Sequence, residues 1–237
     1  MIPFYQLEWH GIELKTIGRS RSKIPDKDFY ERFYKEFFYK HSSFNSLDDE
    51  WLHHKQKIAD YLSDLVEGKI KILSIGSGLG IVELKLTEKN RDLKIVAVEP
   101  SKSASRWLKN NVNILTLDGY FPDCLDSAEC FDFVFANNID YVFDKVSYEK
   151  FLESIIDYGV TDFLIISTAV YNFKSSLKYL CKFIYCWMKA FNSKSGYQLW
   201  GYLRSKSDHR KALKKAGFVN VSIVDLDKET IVIRAKI

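Results

Sequence analysis

Short apolar runs alternate with longer amphipathic segments from about residue 70 onward. Several of these runs are apolar almost throughout, which is typical of parallel strands buried on both faces. The strands predicted from this pattern lie at about 70–75, 94–99, 112–116, 131–137, 161–168, 219–225 and 229–235. Helices are predicted near 79–89, 102–110 and 146–158. We therefore expect an α/β protein with a doubly wound, mostly parallel seven-stranded sheet that ends in an antiparallel hairpin.

The first 67 residues follow a different pattern. Residues 4–16 alternate loosely between apolar and polar, which predicts a small hairpin. Aromatic residues recur at helical spacing over 29–38, and Ser46 is expected to cap a second helix over about 47–66. We expect this part to be a helical extension that belongs to the same unit as residues 68–237 and packs over the edge of the sheet.

A glycine-rich turn joins the first predicted strand of the sheet to the helix that follows. Glycine stands at 76, 78 and 80, with Ser77 between the first two. Glycine allows a sharp turn and a close approach to a ligand, and the start of a helix offers unpaired N–H groups. The second strand ends in Glu99-Pro100, whose carboxylate can accept hydrogen bonds from a ribose diol. These features predict a site for a nucleoside-containing cofactor.

The spacing of the glycines separates two classes of cofactor. The dinucleotide-binding pattern is G-x-G-x-x-G, but this chain has Ile81 where the third glycine would fall. The spacing at Gly76, Gly78 and Gly80 instead resembles the first motif of the class I S-adenosylmethionine (SAM)-dependent methyltransferases. The chain departs from that motif at Ser74, where the family usually has Asp or Glu. The resemblance covers about residues 68–237 and implies SAM as the cofactor.

The resemblance also implies cofactor contacts at the ends of neighbouring strands. Asp118-Gly119 follows the third strand, where the family's acidic side chain approaches the adenine amino group; an ordinary Asp-Gly turn is the alternative. Asn137 and Asn138 follow the fourth strand, at the edge where open α/β sheets bind ligands, and an asparagine turn is the alternative for each. The cofactor-binding residues expected in all are Gly76, Ser77, Gly78, Gly80, Glu99, Pro100, Asp118, Gly119, Asn137 and Asn138.

Methyl transfer depends mainly on holding the nucleophile in line with the methyl group. A hydroxyl nucleophile also needs a proton acceptor. The candidates are Asp140, Tyr141 and His209, followed by Asp208, His53 and His54; nothing in the sequence indicates a metal site. A compact aromatic loop is expected at 196–205, where Trp200 and Arg204 suit a sugar or an anionic small molecule. A hydrophobic plug is the alternative function of that loop.

Charge and composition narrow the partners. The formal charge of +4 comes from 35 basic and 31 acidic residues, a mixture that does not favour nucleic acid. Four cysteines without a C-x-x-C pair predict free thiols in the cytoplasm. No secretion signal and no transmembrane helix are predicted. An apolar stripe with interleaved lysines over 174–191 has three alternatives: core packing, a substrate lid, or a helix in peripheral contact with a membrane.

The sequence thus predicts a cytoplasmic SAM-dependent methyltransferase that acts on a small molecule. The expected reaction is O-methylation of a sugar or another cell-surface precursor, in a pocket between the N-terminal extension and residues 170–204. Two alternatives come from other classes. A catalytically silent, methyltransferase-like binding protein is allowed by Ser74 and by the lack of an obvious catalytic base. An NAD-dependent oxidoreductase is disfavoured by Ile81 and the terminal hairpin. The pattern does not predict an oligomeric state.

Overall fold

The computed structural model describes the chain except residues 19–23, 113, 127–128, 172 and 192–195. The strands are β1 (Ile2–Gln6), β2 (Glu8–Trp9), β3 (Ile12–Glu13), β4 (Lys71–Ile75), β5 (Lys94–Glu99), β6 (Leu115–Asp118), β7 (Phe133–Asn137), β8 (Asp162–Ser167), β9 (Gln198–Leu203), β10 (Asn220–Asp225) and β11 (Ile231–Lys236). The α-helices are α1 (Lys27–Lys40), α2 (Asp49–Leu65), α3 (Ile81–Lys89), α4 (Lys102–Asn111), α5 (Lys145–Asp157), α6 (Phe173–Phe191) and α7 (Lys206–Ala216).

Seven strands form the central sheet in the order β10-β11-β8-β7-β4-β5-β6. The strands from β4 to β8 pair in parallel, whereas β11 is antiparallel to both β8 and β10. The predicted fold class is therefore confirmed, including the terminal hairpin. Strands β5 and β6 lie on one side of β4, whereas β7 and β8 lie on the other, so the strand order reverses between β4 and β7. Sheets of this kind bind ligands at the carboxyl ends of the strands where the order reverses.

Helices cover both faces of the sheet, because successive side chains of a strand point to opposite sides. On one face Phe133 and Phe135 of β7 pack with residues of α2 and α3, such as Leu62 and Leu86. On the other face Val134 and its neighbours pack with residues of α5 and α7. Almost all of these side chains are buried, which explains why the strands are apolar runs rather than alternating ones.

Helix α2 begins later than the sequence suggests. The predicted cap, Ser46, lies at the end of a 3-10 turn, and its hydroxyl donates to the Ser43 carbonyl at 2.7 Å. The N-cap is Asp48, whose carboxylate accepts from the Trp51 N–H at 2.8 Å. The correction has a simple cause: a carboxylate at the cap also interacts favourably with the positive end of the helix dipole.

The N-terminal segment contributes strands as well as helices. The predicted hairpin is present as β2 and β3, with Trp9 paired to Ile12. Residues 198–203, expected to be a loop, form β9, which pairs antiparallel with β1 from Ile2↔Leu203 to Gln6↔Gln198. The segment forms a strand because another strand, almost two hundred residues away in the sequence, supplies its hydrogen bonds. The third sheet strand, β6, also lies slightly later than predicted.

Helix α6 packs against β1, but most of its apolar side chains are exposed. The prediction that the apolar stripe at 174–191 packs in the core is therefore wrong for most of its described residues. Cys186 is one of the few that are buried. No helix in the described part of the chain is long and apolar enough to cross a bilayer.

Candidate functional site

The glycine-rich turn lies between β4 and α3 at the carboxyl edge of the sheet. Gly76, Gly78 and Gly80 all have positive φ, at 72°, 57° and 71°. A Cβ at Gly76 would overlap Ile139, whereas a Cβ at Gly78 would lie 3.0 Å from the hydroxyl of Tyr34. The turn therefore needs glycine both for its backbone conformation and because neighbouring groups come close to it.

Glu99 anchors this turn from the end of β5. Its carboxylate accepts from the Gly78 N–H and from the Ser101 N–H, each at 2.8 Å. Burial raises the pKa of Glu99 to about 7, although these two hydrogen bonds oppose the shift. Each carboxylate oxygen keeps a second lone pair, so the group can accept from a diol while it holds the turn. Pro100 follows directly and is half-buried.

Asp118 lies beside Glu99 in the neighbouring strand. Its carboxylate accepts from the hydroxyl of Ser105 and from Lys109 Nζ, the latter at 3.0 Å. The Ser105 hydrogen bond is the largest cause of the lowered pKa of Asp118. Gly119 donates its N–H to the Glu99 carbonyl at 3.2 Å. Both residues are therefore at the expected edge, within a polar cluster.

The two asparagines after β7 have different surroundings. Asn138 has a φ of 54°, and its side-chain oxygen accepts from the Thr168 N–H at 2.9 Å and the Thr168 hydroxyl at 2.8 Å. Its amide nitrogen donates to Asn137 Oδ1 at 3.0 Å. Asn138 thus joins the ends of β7 and β8, as an asparagine turn would. Its cofactor contact and that of Asn137 stay predictions.

One polar atom in the turn has no partner within the protein. Among the described residues, none forms a hydrogen bond with the buried hydroxyl oxygen of Ser77. A buried hydroxyl without a partner is costly, because it loses its hydrogen bonds to water. Together with the close backbone approach at Gly78, this hydroxyl fits a polar ligand bound at the turn.

A buried carboxyl that the sequence motifs did not predict lies next to Ser74. The Ser74 hydroxyl donates to the carboxylate of Glu83, which is in the first turn of α3 and 1% exposed. Burial raises the pKa of Glu83 and lowers that of the nearby Lys55 to about 8, and the two charges oppose these shifts. An acidic group is therefore present behind the turn, supplied by the helix instead of the strand. Its signal was a Glu three residues after Gly80, at the start of the helix.

Aromatic side chains from three separate segments meet above Glu99. Tyr30 of α1 and Tyr141 share a hydrogen bond of 3.1 Å between their hydroxyls. Tyr141 stacks on Trp200 of β9 with centroids 6.2 Å apart, and the Trp200 side chain hydrogen-bonds Tyr141. The charge of Glu99 adds to burial in raising the pKa of Tyr34 and of Tyr141, the latter to about 12. The N-terminal extension and residues 198–203 are thus brought together at the sheet edge.

Helix α1 is held in this position by a carboxylate. Glu31 accepts from the Ser101 hydroxyl at 2.9 Å and from the Ser103 N–H and hydroxyl at 3.0 and 2.6 Å. These hydrogen bonds attach α1 to the start of α4, immediately after Glu99. Helix α1, which brings Tyr34 close to Gly78, is therefore attached through Ser101, the same residue that donates its N–H to Glu99.

Arg204 is only 2% exposed, and its side chain forms hydrogen bonds with backbone carbonyls. Its guanidinium donates to the carbonyls of Asp140 and Phe143 at 2.5 Å each and of Asp144 at 3.1 Å. It also lies 4.3 Å from the ring centroid of Tyr148. These contacts account for Arg204 as a structural residue, and acceptor binding by Arg204 and by the equally buried Trp200 stays a prediction.

Asp140 and His209 are neighbours in the same buried cluster. Asp140 Oδ2 accepts from the Ser167 hydroxyl at 2.8 Å and lies 3.6 Å from His209 Nε2. Burial raises the pKa of Asp140 to about 6, although Arg204 opposes the shift. Burial and Arg204 together lower the pKa of His209 to about 3. Of the other candidates, His54 hydrogen-bonds Thr230 at 2.7 Å, and Asp208 completes a capping box with Ser205.

Several solved methyltransferase structures have a similar arrangement. An O-methyltransferase described as putative, from Nostoc punctiforme, matches with a TM-score of 0.62 at 16% identity, over 88% of this chain and 60% of that one. Human N-acetylserotonin methyltransferase in complex with SAM matches with a TM-score of 0.60 at 13% identity, over 89% and 56%. This chain has the class I SAM-dependent methyltransferase fold.

A third similar structure has nearly the same length as this chain. Magnesium protoporphyrin IX methyltransferase from Synechocystis with bound SAH matches with a TM-score of 0.58 at 11% identity, over 89% of this chain and 97% of that one. The chain spans about 60% of the length of the first two structures. No protein-family model and no curated protein matches the sequence.

Proposed function

We propose that this protein is a SAM-dependent methyltransferase that acts on a small molecule, with transfer to oxygen as the reaction. One observation carries the proposal: Glu99 holds the Gly78 backbone at the carboxyl edge of a methyltransferase sheet, beside the unpartnered hydroxyl of Ser77. A carboxylate, a positive-φ turn and an unsatisfied hydroxyl together suit the polar ribose and amino-acid parts of such a cofactor.

The residues assigned to hold the cofactor divide by chemistry. Glu99 would accept hydrogen bonds from the ribose hydroxyls. The turn Gly76–Gly80, with Ser77, would let the cofactor come close to the backbone. Asp118 would accept a hydrogen bond from the adenine amino group. SAM supplies an electrophilic methyl group on a sulfonium. The protein then has two tasks, to align the acceptor and to exclude water, and alignment gives much of the rate in such transfers. The aromatic side chains of Tyr30 and Tyr141 form the water-excluding cover.

The three proton-acceptor candidates differ in basicity. Tyr141, with its pKa raised to about 12, stays protonated at neutral pH and acts as a hydrogen-bond donor. His209, with its pKa lowered to about 3, is a weak base. Asp140, with its pKa raised to about 6, is mostly ionised at neutral pH. Asp140 and His209 are both deprotonated at that pH, and Asp140 is the stronger base of the two. Its Oδ1 has no hydrogen-bond partner among the described residues. We therefore assign Asp140 as the group that accepts the proton from the hydroxyl nucleophile.

The acceptor class rests on coarser support. The similar structures include methyltransferases named for N-acetylserotonin and for magnesium protoporphyrin IX, which are small molecules. This supports a small-molecule acceptor here. A sugar or another cell-surface precursor remains our more specific proposal, because the aromatic residues beside the site suit a sugar ring.

A protein that binds SAM without turnover is the second candidate. The observation that favours it is the burial of Trp200 and Arg204, at 3% and 2% exposure, which leaves the predicted acceptor-binding residues covered. The NAD-dependent oxidoreductase is not favoured, because Ile81 breaks the dinucleotide spacing and β11 is antiparallel.

Calorimetric titration with SAM, SAH and NADH tests the cofactor. We expect SAM and SAH to bind and NADH not to bind. The protein is then incubated with SAM and small-molecule extracts, and mass spectrometry is used to find a product heavier by one CH₂. SAM binding without any such product supports the silent protein, whereas binding of NADH alone refutes the proposal.

A further inference from the structure

Within the part of α6 whose side chains the structure describes, one side of the helix packs on the protein. Cys186 is buried, and Phe183 stacks on Tyr5 of β1 with ring centroids 6.2 Å apart. On the opposite side, five described apolar side chains are between 45% and 71% exposed. We call this side the outer face of α6, and it consists of Leu177, Leu180, Ile184, Trp187 and Met188.

The outer face is a continuous stripe along the helix. Residues 177, 180, 184 and 188 are spaced by three and four positions, so their side chains lie on one side of consecutive turns. A helix rises about 1.5 Å per residue, so these four positions span roughly 16 Å. Single exposed apolar residues are ordinary on a protein surface, but a contiguous stripe of this kind marks an interaction surface.

The charge around this stripe has one sign. No acidic residue occurs between Asp162 and Asp208, whereas the lysines in that stretch are Lys174, Lys178, Lys182, Lys189, Lys194 and Lys206. Lys178, Lys182 and Lys189 are exposed along α6. A second copy of the chain laid against this face would bring lysines towards lysines, which is unfavourable. Anionic lipid headgroups complement both the lysines and the apolar stripe.

We infer that the outer face of α6 docks on a bilayer that contains anionic lipids. The helix lies in the plane of the interface, with the apolar stripe at the level of the acyl chains and the lysines extended to the phosphates. Trp187 and Tyr185, 45% and 51% exposed, are amphipathic aromatic residues of the type that suits this boundary. Docking of this kind needs no membrane-spanning helix.

Co-sedimentation with vesicles tests the inference on the whole chain without SAM. Two vesicle preparations are compared, one of phosphatidylcholine alone and one in which a third of the lipid is phosphatidylglycerol. We expect binding to the anionic vesicles that weakens as salt is added. The double variant Lys178→Gln/Lys189→Gln should partition about 25-fold less, since each lysine contributes about fivefold, equivalent to about 1 kcal/mol.

Matched variants separate this surface from general effects. Leu180→Gln/Ile184→Gln should also weaken binding, by about tenfold, because the apolar contact is reduced. The control pairs change two lysines and two exposed apolar residues elsewhere: Lys211→Gln/Lys214→Gln on α7, and Ile70→Gln/Val219→Gln, at positions 64% and 69% exposed. Both control pairs should bind like the wild type, and circular dichroism confirms that all four variants are folded.

Three outcomes overturn the inference. The first is a wild-type chain that does not sediment with anionic vesicles at low salt. The second is an equal loss of binding in the control pairs. The third is self-association, measured by light scattering, that the α6 variants abolish while vesicles are not bound. None of these measurements involves SAM, so failure of the proposed function would leave the result unaffected.

Discussion

Replacing Glu99 with alanine is the sharpest perturbation of the candidate site. The substitution removes the carboxylate that accepts from the Gly78 and Ser101 N–H groups. It also removes the group expected to accept from the cofactor ribose. Because both effects come from the same two oxygens, folding and ligand affinity have to be measured separately.

The effect on folding is a difference between two terms of similar size. Two buried N–H groups lose their acceptor, at about 1–3 kcal/mol each. In the other direction, burial raises the pKa of Glu99 from 4.5 to about 7, and removal of that carboxylate relieves roughly 3 kcal/mol above pH 7. We therefore expect Glu99→Ala to fold, with a free energy of unfolding lower by no more than about 3 kcal/mol.

The effect on ligand affinity has no such compensation. Hydrogen bonds to a charged acceptor contribute about 1.5–3 kcal/mol, so the Kd for SAM or SAH should rise by roughly 10- to 150-fold. Calorimetry measures the affinity, and urea unfolding measures the stability. The matched control is Asp132→Ala, which also removes a carboxylate that accepts from two backbone N–H groups, those of Ile70 and Lys71, but at the opposite end of β4. An unchanged Kd in a folded Glu99→Ala variant, or an equal rise in the control, would refute the assignment.

Three further predictions follow from the same contacts. The raised pKa of Glu99 means that the folded protein binds more protons than the unfolded chain between about pH 4.5 and 7; its stability should therefore fall as the pH rises through that window, relative to Glu99→Gln in parallel urea titrations. Arg204→Ala should lower the free energy of unfolding by about 3 kcal/mol or more, because one buried and two partly buried carbonyls lose a charged donor; normal stability with lost turnover would instead support acceptor binding. Ser77→Ala should leave stability unchanged, since its hydroxyl has no partner among the described residues, but it should weaken SAM binding by about 0.5–1.5 kcal/mol in calorimetry; equal affinity would contradict the fit of the cofactor at the turn.

The sheet and the glycine turn could be predicted because their signals are local. An apolar run that leads into closely spaced glycines marks the turn, and a second apolar run that ends in a carboxylate marks the end of β5. Glu99 was placed in this way, and the structure puts it against the glycine turn. The antiparallel hairpin at the end of the chain was also predictable, because two short apolar segments flank a turn-like tripeptide.

Long-range pairing could not be predicted in the same way. Strand β9 exists because β1 supplies its hydrogen bonds, and no local pattern shows that partnership. The hydrogen-bond partners of Arg204 could not be predicted either. The sequence suggested that its guanidinium binds a ligand, but in the structure it donates to backbone carbonyls. The Glu83 carboxyl could not be predicted from the strand pattern, because it reaches Ser74 from the following helix instead of from β4.

The packing of α2 has a consequence for any attempt to divide the chain. Ile58 and Leu62 of this helix share one apolar cluster with Ile72 of β4 and Leu86 of α3. A polypeptide that began at residue 68 would leave that side of the central sheet without its cover, and the wetted strand faces would favour aggregation. We therefore predict that the helical extension and the sheet unfold as a single cooperative unit, and that a truncated chain must keep α2 in order to fold.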